Sequence, residues 1–232
     1  MRRILLSLLL CSAALHAESE KPRKISLNLC CLRHAGEVRT LLLKGDSNSP
    51  PAEVSIYEGG FTEAVPALVE DNRIVVYKKG PDARQAWLPD WSFEVPSSSK
   101  DVSAILLPKP ATKESPAPYK ALLLPAPRDF DYGSLLAFNL TPLNVRLDLG
   151  TKKISLQPGK SGSASLESEA DAFNMVPVTA WIQNKGKWVT LHTTRWSYNE
   201  RYRQVSLIWM DATTKRPEIT SIRDVRPIPI TD

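Results

Sequence analysis

Glycine, cysteine and histidine are all scarce in this chain, at 10, 3 and 3 of 232 residues. Three cysteines are too few to build a disulfide-held scaffold. One of them, Cys11, lies in an N-terminal apolar segment. Beyond that segment only His34 and His192 are available as bases or metal ligands. No H-E-x-x-H, C-x-x-C, G-x-S-x-G, P-loop or dinucleotide fingerprint occurs. The longest apolar run, Ile4–Leu15, falls short of the roughly 20 residues that span a bilayer. Long helices are excluded by what is plentiful: 19 prolines scattered through Val, Leu and Ile runs, each costing about 3 kcal/mol inside a helix.

The first 17 residues read as a secretory signal peptide. Arg2 and Arg3 supply the positive start, Ile4–Leu15 the apolar stretch and Ala17 a small residue before Glu18. Two other readings are a lipoprotein anchor through Cys11, for which Leu10 is a poor neighbour, and a retained amphipathic segment. The arginine pair also fits a twin-arginine signal. Cleavage leaves 215 residues with 28 basic and 25 acidic groups, a net charge of +3. Export to the periplasm or the extracellular space makes nucleic acid an unsuitable ligand. No integral membrane span is expected.

Cys30 and Cys31 are neighbours, and α-carbons about 3.8 Å apart are too close for an ordinary disulfide. Ile25, Leu27, Leu29 and Cys31 share one parity, so Cys31 is expected to face a core and Cys30 the opposite side. Buried free thiols and an intermolecular bridge through Cys30 are the two readings.

Between Pro108 and Pro118 four prolines fall in eleven residues, a composition that favours an extended spacer. It suggests an N-terminal β domain over 18–107 and a C-terminal domain over 119–232. Alternation at Ile25–Cys31, Trp91–Val95 and Leu143–Leu149, short apolar runs at Leu41–Leu43, Ile74–Tyr77 and Ala104–Leu107, and frequent turn residues predict an all-β chain of two β-sandwich domains. Pro66–Asp71 reads as a single helical turn. Two further strands meet at Asn184–Lys187. Only a loop of even length aligns Val178, Ala180 and Ile182 with Val189, Leu191 and Thr193 on one apolar face. That register puts Thr179, Trp181, Trp188, Thr190 and His192 on the other.

The acidic clusters Asp129–Asp131 and Glu167–Asp171 lack the spaced loop that calcium requires and read as solvated charge. No metal, cofactor or catalytic group is assigned. The most informative set is aromatic: Trp181, Trp188, Trp196, Tyr198 and Tyr202, interleaved with His192, Arg195, Arg201 and Arg203. Such rings and guanidinium groups are enriched at recognition surfaces. The competing reading has them cover a gap between domains or pack beneath the Arg195–Gln204 connection.

Leu135–Pro142, followed by Val145–Gly150 and Leu156–Gly159, shows an N-x-T-P…V-x-L…L-x-P-G arrangement. In this the chain resembles immunoglobulin-type exported modules, including periplasmic pilus chaperones. Its layout of signal, β half, proline spacer and β half is similar to that of uncharacterised secreted bacterial two-domain β proteins. The resemblance implies immunoglobulin-like domains. For the chaperones it also implies a basic cleft that anchors a partner's carboxylate, and no basic residues here match that cleft. The expected function is a non-catalytic binding or structural protein of the bacterial envelope, its partner an envelope protein or a glycan. The alternatives are an envelope enzyme or accessory acting on glycans, and a strand-donating assembly protein.

Overall fold

The computed structural model describes residues 21–110, 117–125 and 130–225. The expected signal peptide and part of the proline-rich segment lie outside them. Over the described residues the chain is all-β, with sixteen strands and two single 3-10 turns.

Eight strands of the first half make one mixed sheet. They are β1 (Arg23–Cys31), β2 (Thr40–Leu43), β3 (Ala52–Ser55), β4 (Val65–Glu70), β5 (Arg73–Lys79), β6 (Trp87–Glu94), β7 (Asp101–Pro108) and β8 (Tyr119–Leu123). Their order is β3-β2-β5-β4-β1-β7-β8, with β6 added on β5. The sheet curls until both ends reach one core. Phe93 of β6 and Tyr119 of β8 are buried in the same cluster as Ile25, Leu27, Leu29 and Cys31 of β1. The Trp91 and Tyr119 rings, from strands at opposite ends, lie 6.4 Å apart.

Two expectations change here. Pro66–Asp71 forms no helical turn: Val65–Glu70 is β4, held by pairing with β1 that sets Ser26 opposite Pro66. Asp71 and Asn72, with φ of 48° and 59°, turn the chain straight into β5. Their left-handed conformation suits a tight hairpin and no helix. The segment after Pro108 joins two paired strands, since Pro108 stands opposite Tyr119 and the Lys109 amide donates to the Pro118 carbonyl at 2.9 Å. The strand beyond the prolines thus returns to the first sheet.

The remaining strands make two four-stranded sheets. One has the order β12-β9-β15-β16, from β9 (Ser134–Asn139), β12 (Ser161–Ser165), β15 (Tyr202–Met210) and β16 (Pro217–Val225). The other has the order β11-β10-β13-β14, from β10 (Val145–Leu149), β11 (Lys152–Leu156), β13 (Met175–Asn184) and β14 (Lys187–Ser197). They face each other across Leu135, Ala137 and Ile208 on one side and Val145, Leu147, Leu149, Val176, Val178 and Ala180 on the other. Gly162 lets β12 lie close to β11, because a Cβ there would fall 2.9 Å from Ile154 Cγ2 and 3.0 Å from Leu156 Cδ2.

The sheet containing β15 is a middle layer. Val205, Leu207 and Trp209 turn away from the second-half core and pack with Cys30, Leu32, Ile105 and Leu124 of the first half. Burial on both faces explains why β15 reads as a nearly unbroken buried run. It also accounts for both cysteines. Cys31 faces the curled core and Cys30 the core between the halves, and both are free thiols with no exposed surface.

The N-x-T-P motif has a structural role. Asn139 is fully buried, accepts from the Thr141 amide (3.0 Å) and hydroxyl (2.8 Å), and donates to the Leu143 (2.7 Å) and Leu156 (3.0 Å) carbonyls. Three of these bonds hold the turn from β9 to β10 and the fourth ties it to the end of β11, so the buried amide is fully partnered.

Candidate functional site

The outer face of the β11-β10-β13-β14 sheet gathers the candidate site. On β10, residues alternate between core and solvent, so Arg146 and Asp148 point outward while Val145, Leu147 and Leu149 are buried. Pairing with β13 places Arg146 opposite Trp181 and Asp148 opposite Thr179. The β13–β14 hairpin closes through Lys185 and Gly186, whose φ values of 48° and 80° suit a two-residue turn. That even loop sets Gln183 opposite Trp188.

These pairings build a stack. The Arg146 guanidinium carbon lies 5.0 Å from the Trp181 ring centroid and 5.2 Å from that of Trp188. Asp148 holds the assembly from below, accepting from Trp181 Nε1 at 2.7 Å and from an Arg146 terminal nitrogen at 3.2 Å. Arg146 Nε and Asp148 Oδ1 are also ion-paired at 3.0 Å, although their alignment is not that of a hydrogen bond. The guanidinium plane is thereby fixed against two rings, each contact worth about 0.5–1 kcal/mol where partly exposed. Trp188 keeps 39% of its surface open. It walls a recess of about 530 Å³ whose lining includes Asn144, Ser155, Gln157, Lys160 and Ser161.

The other residues singled out in the sequence go elsewhere. A bulge leaves Leu191 as the extra residue and sets His192 opposite Ala180, so His192 drops out of the face formed by Thr179, Trp181, Trp188 and Thr190. Trp196 and Tyr198 pack partly buried on the second-half core. Arg195 pairs with Asp171. Tyr202 donates its hydroxyl to the Ser197 carbonyl at 2.6 Å, beneath the Arg223 guanidinium. The Arg201 side chain is exposed, and its amide bonds Asn199 Oδ1 at 2.8 Å. Arg203 is buried between the halves, bonding Asp224 and the Phe130 carbonyl at 2.8 Å each, with Phe130 and Tyr132 rings beside it. The aromatic set is thus divided between a surface stack and structural packing. Arg146, Asp148 and the polar lining of the recess are absent from the sequence-based set.

The second acidic cluster has a structural task too. Glu169 accepts from the Thr151 amide and hydroxyl at 2.7 and 2.8 Å, which holds its carboxyl below the ordinary value. Asp171 accepts from the amides of Phe173 and Met175. Asp129 lies outside the described residues, and Phe130 beside it is buried between the halves.

His34 has one arrangement of chemical interest. Its Nδ1 is 3.6 Å from Cys31 Sγ, and its amide bonds Glu58 Oε1 at 2.7 Å. Burial, reinforced by Glu58, pushes the Cys31 thiol up to about 11, so at neutral pH it stays protonated and is no nucleophile. The recess of about 650 Å³ beside His34 includes Leu32, Leu107, Pro108, Trp209 and Met210 in its lining. Among the described residues that line it there is no acid and no hydroxyl. Among the described residues, no helix is long and apolar enough to cross a membrane. No protein-family model matches the chain, and no curated protein is similar to it in sequence.

Proposed function

We propose that this chain is an exported, non-catalytic binding protein of the bacterial envelope, and that it holds its ligand on the outer face of the β11-β10-β13-β14 sheet. The carrying observation is the Trp181–Arg146–Trp188 stack, pinned by Asp148 and bordered by the polar recess at Trp188. Flat, preorganised rings bury ligand area at small entropic cost, and the amide, hydroxyl and ammonium groups beside Trp188 supply orientation. A glycan fits this chemistry, since a sugar has an apolar C–H face for the ring and an equatorial rim of hydroxyls for Asn144, Gln157 and Lys160. The two facing sheets of the second half are consistent with the immunoglobulin-like module that the sequence resembles.

The test is a pull-down of envelope glycans and proteins by the wild type and by Trp181→Ala/Trp188→Ala. We expect the double variant to lose binding at least tenfold while it keeps the wild-type far-ultraviolet spectrum and a cooperative unfolding transition, its melting temperature lowered by several degrees through loss of the stack and of the bond to Asp148. Retained binding by a folded double variant would remove this face as the site.

A further inference from the structure

We propose that a second copy of this chain docks on the free edge of β14, joining two β11-β10-β13-β14 sheets into one eight-stranded sheet about a two-fold axis between Leu191 and His192. A strand edge presents a row of unpaired backbone donors and acceptors, and monomeric proteins blunt such edges with brevity, proline, central charge or a bulge that twists the edge away. β14 carries only the last, at Leu191, and its antiparallel self-pairing sets that bulge beside the same bulge of the second copy. The other edge strands carry these devices: β3, β8, β11 and β12 have four or five residues, β6 contains Pro89, and β16 contains Pro217, Glu218, Arg223 and Asp224. β14 has eleven residues and no proline or acid, and its two lasting charges, Lys187 and Arg195, sit near its ends. Among the described residues no strand pairs with its outer edge. Trp188 and Val189, two of the few large apolar residues left exposed, both lie on it.

The sequence of β14 specifies its own complement. Pairing with β13 sets Trp188, Thr190, Thr193 and Arg195 on the outer face, opposite Gln183, Trp181, Thr179 and Pro177. Val189, Thr194 and Trp196 stand opposite Ile182, Val178 and Val176 on the inner face. The extra residue at Leu191 shifts the alternation by one step midway. A bulged strand therefore pairs antiparallel with itself, face to matching face along its length, when the two bulges lie side by side. In that register Trp188 meets Arg195 of the second copy, Thr190 meets Thr193, Val189 meets Thr194 and Lys187 meets Trp196. Each cation stands against a ring and none against another cation, which is the complementarity an isologous interface needs.

The experiment is sedimentation of the chain from residue 18 over a concentration series, using wild type, Thr190→Lys/Thr193→Lys and Thr190→Glu/Thr193→Glu. Wild type should sediment at twice the chain mass. Each charged variant should fall to the monomer mass with an unchanged far-ultraviolet spectrum, and an equimolar mixture of the two should recover the dimer. For variants that fail to fold, a mixture of Thr190→Cys and Thr193→Cys chains replaces this readout, and should form a disulfide dimer that neither forms alone. A monomeric wild type at every concentration, or a dimer indifferent to the charge swap and lacking the mixed cross-link, would overturn the proposal. Because mass is read without ligand, the outcome is independent of whether the tryptophan face binds a glycan.

Discussion

The two halves solve the same problem in opposite ways. The first bends a single sheet until Trp91 and Tyr119, from its far ends, close over one core, with Phe93 buried beside them. The second lays one sheet on another, and its outermost layer keeps a face that no other layer of the described residues covers. There Arg146 and Asp148 organise Trp181 and Trp188. Strand tryptophans of similar sequence setting are thus drawn toward a core in one half, as Trp91 is, and displayed in the other, as Trp188 is. The difference lies in whether a sheet finds protein on both sides.

The middle layer is where the comparison can be broken most severely. Leu207 is fully buried against the first half, and Leu207→Ala should cost about 3–4 kcal/mol through lost transfer energy and a residual cavity. If the halves unfold as one unit, hydrogen exchange will rise in β1 and β7 together with β15. A rise confined to the second half would show that they are energetically separate. Arg203→Ala should cost about 2–3 kcal/mol, because it strips partners from Asp224 and the Phe130 carbonyl. Arg203→Lys should recover only part of this, since one ammonium cannot replace the guanidinium fork; urea unfolding measures both.

A smaller effect distinguishes the loops. Asp211 lies below its ordinary value of 3.8, first because the Thr214 amide donates to it, with further help from the Thr214 hydroxyl, the Thr213 amide and Arg33. A depressed carboxyl contributes stability that is present above its ordinary value and is lost as pH falls through the folded value. Asp211→Asn should therefore melt below wild type at pH 7, and the gap should close as pH falls below about 4. A gap independent of pH would assign the effect to packing.

Much of this architecture is legible locally. The alternation of Val145–Leu149 gives Arg146 and Asp148 their wet side, and the even loop at Lys185–Gly186 gives Trp188 its place opposite Gln183. The parity of Cys30 and Cys31 is legible too, but that the second side is also a core depends on β15, far along the chain. The site is harder to read because its key pairing, Arg146 with Trp181, joins positions 35 residues apart. The bulge at Leu191 has no mark in the sequence, and it is what removes His192 from the tryptophan face. Trp196 and Tyr198 resemble Trp181 in type, and only tertiary packing separates core ring from displayed ring. The prolines after Pro108 read as an extended spacer between domains, since nothing local says that Tyr119 returns beside Pro108.

The shared core also bears on the order in which the molecule can mature. Synthesis runs from the N-terminus, so β1 and β7 exist long before the strand that covers Cys30 and Ile105. Until some hundred further residues have been made, the nascent first half carries an oily strip containing a thiol. A compartment that catalyses thiol oxidation would meet Cys30 during that interval, and the completed fold withdraws it from reach.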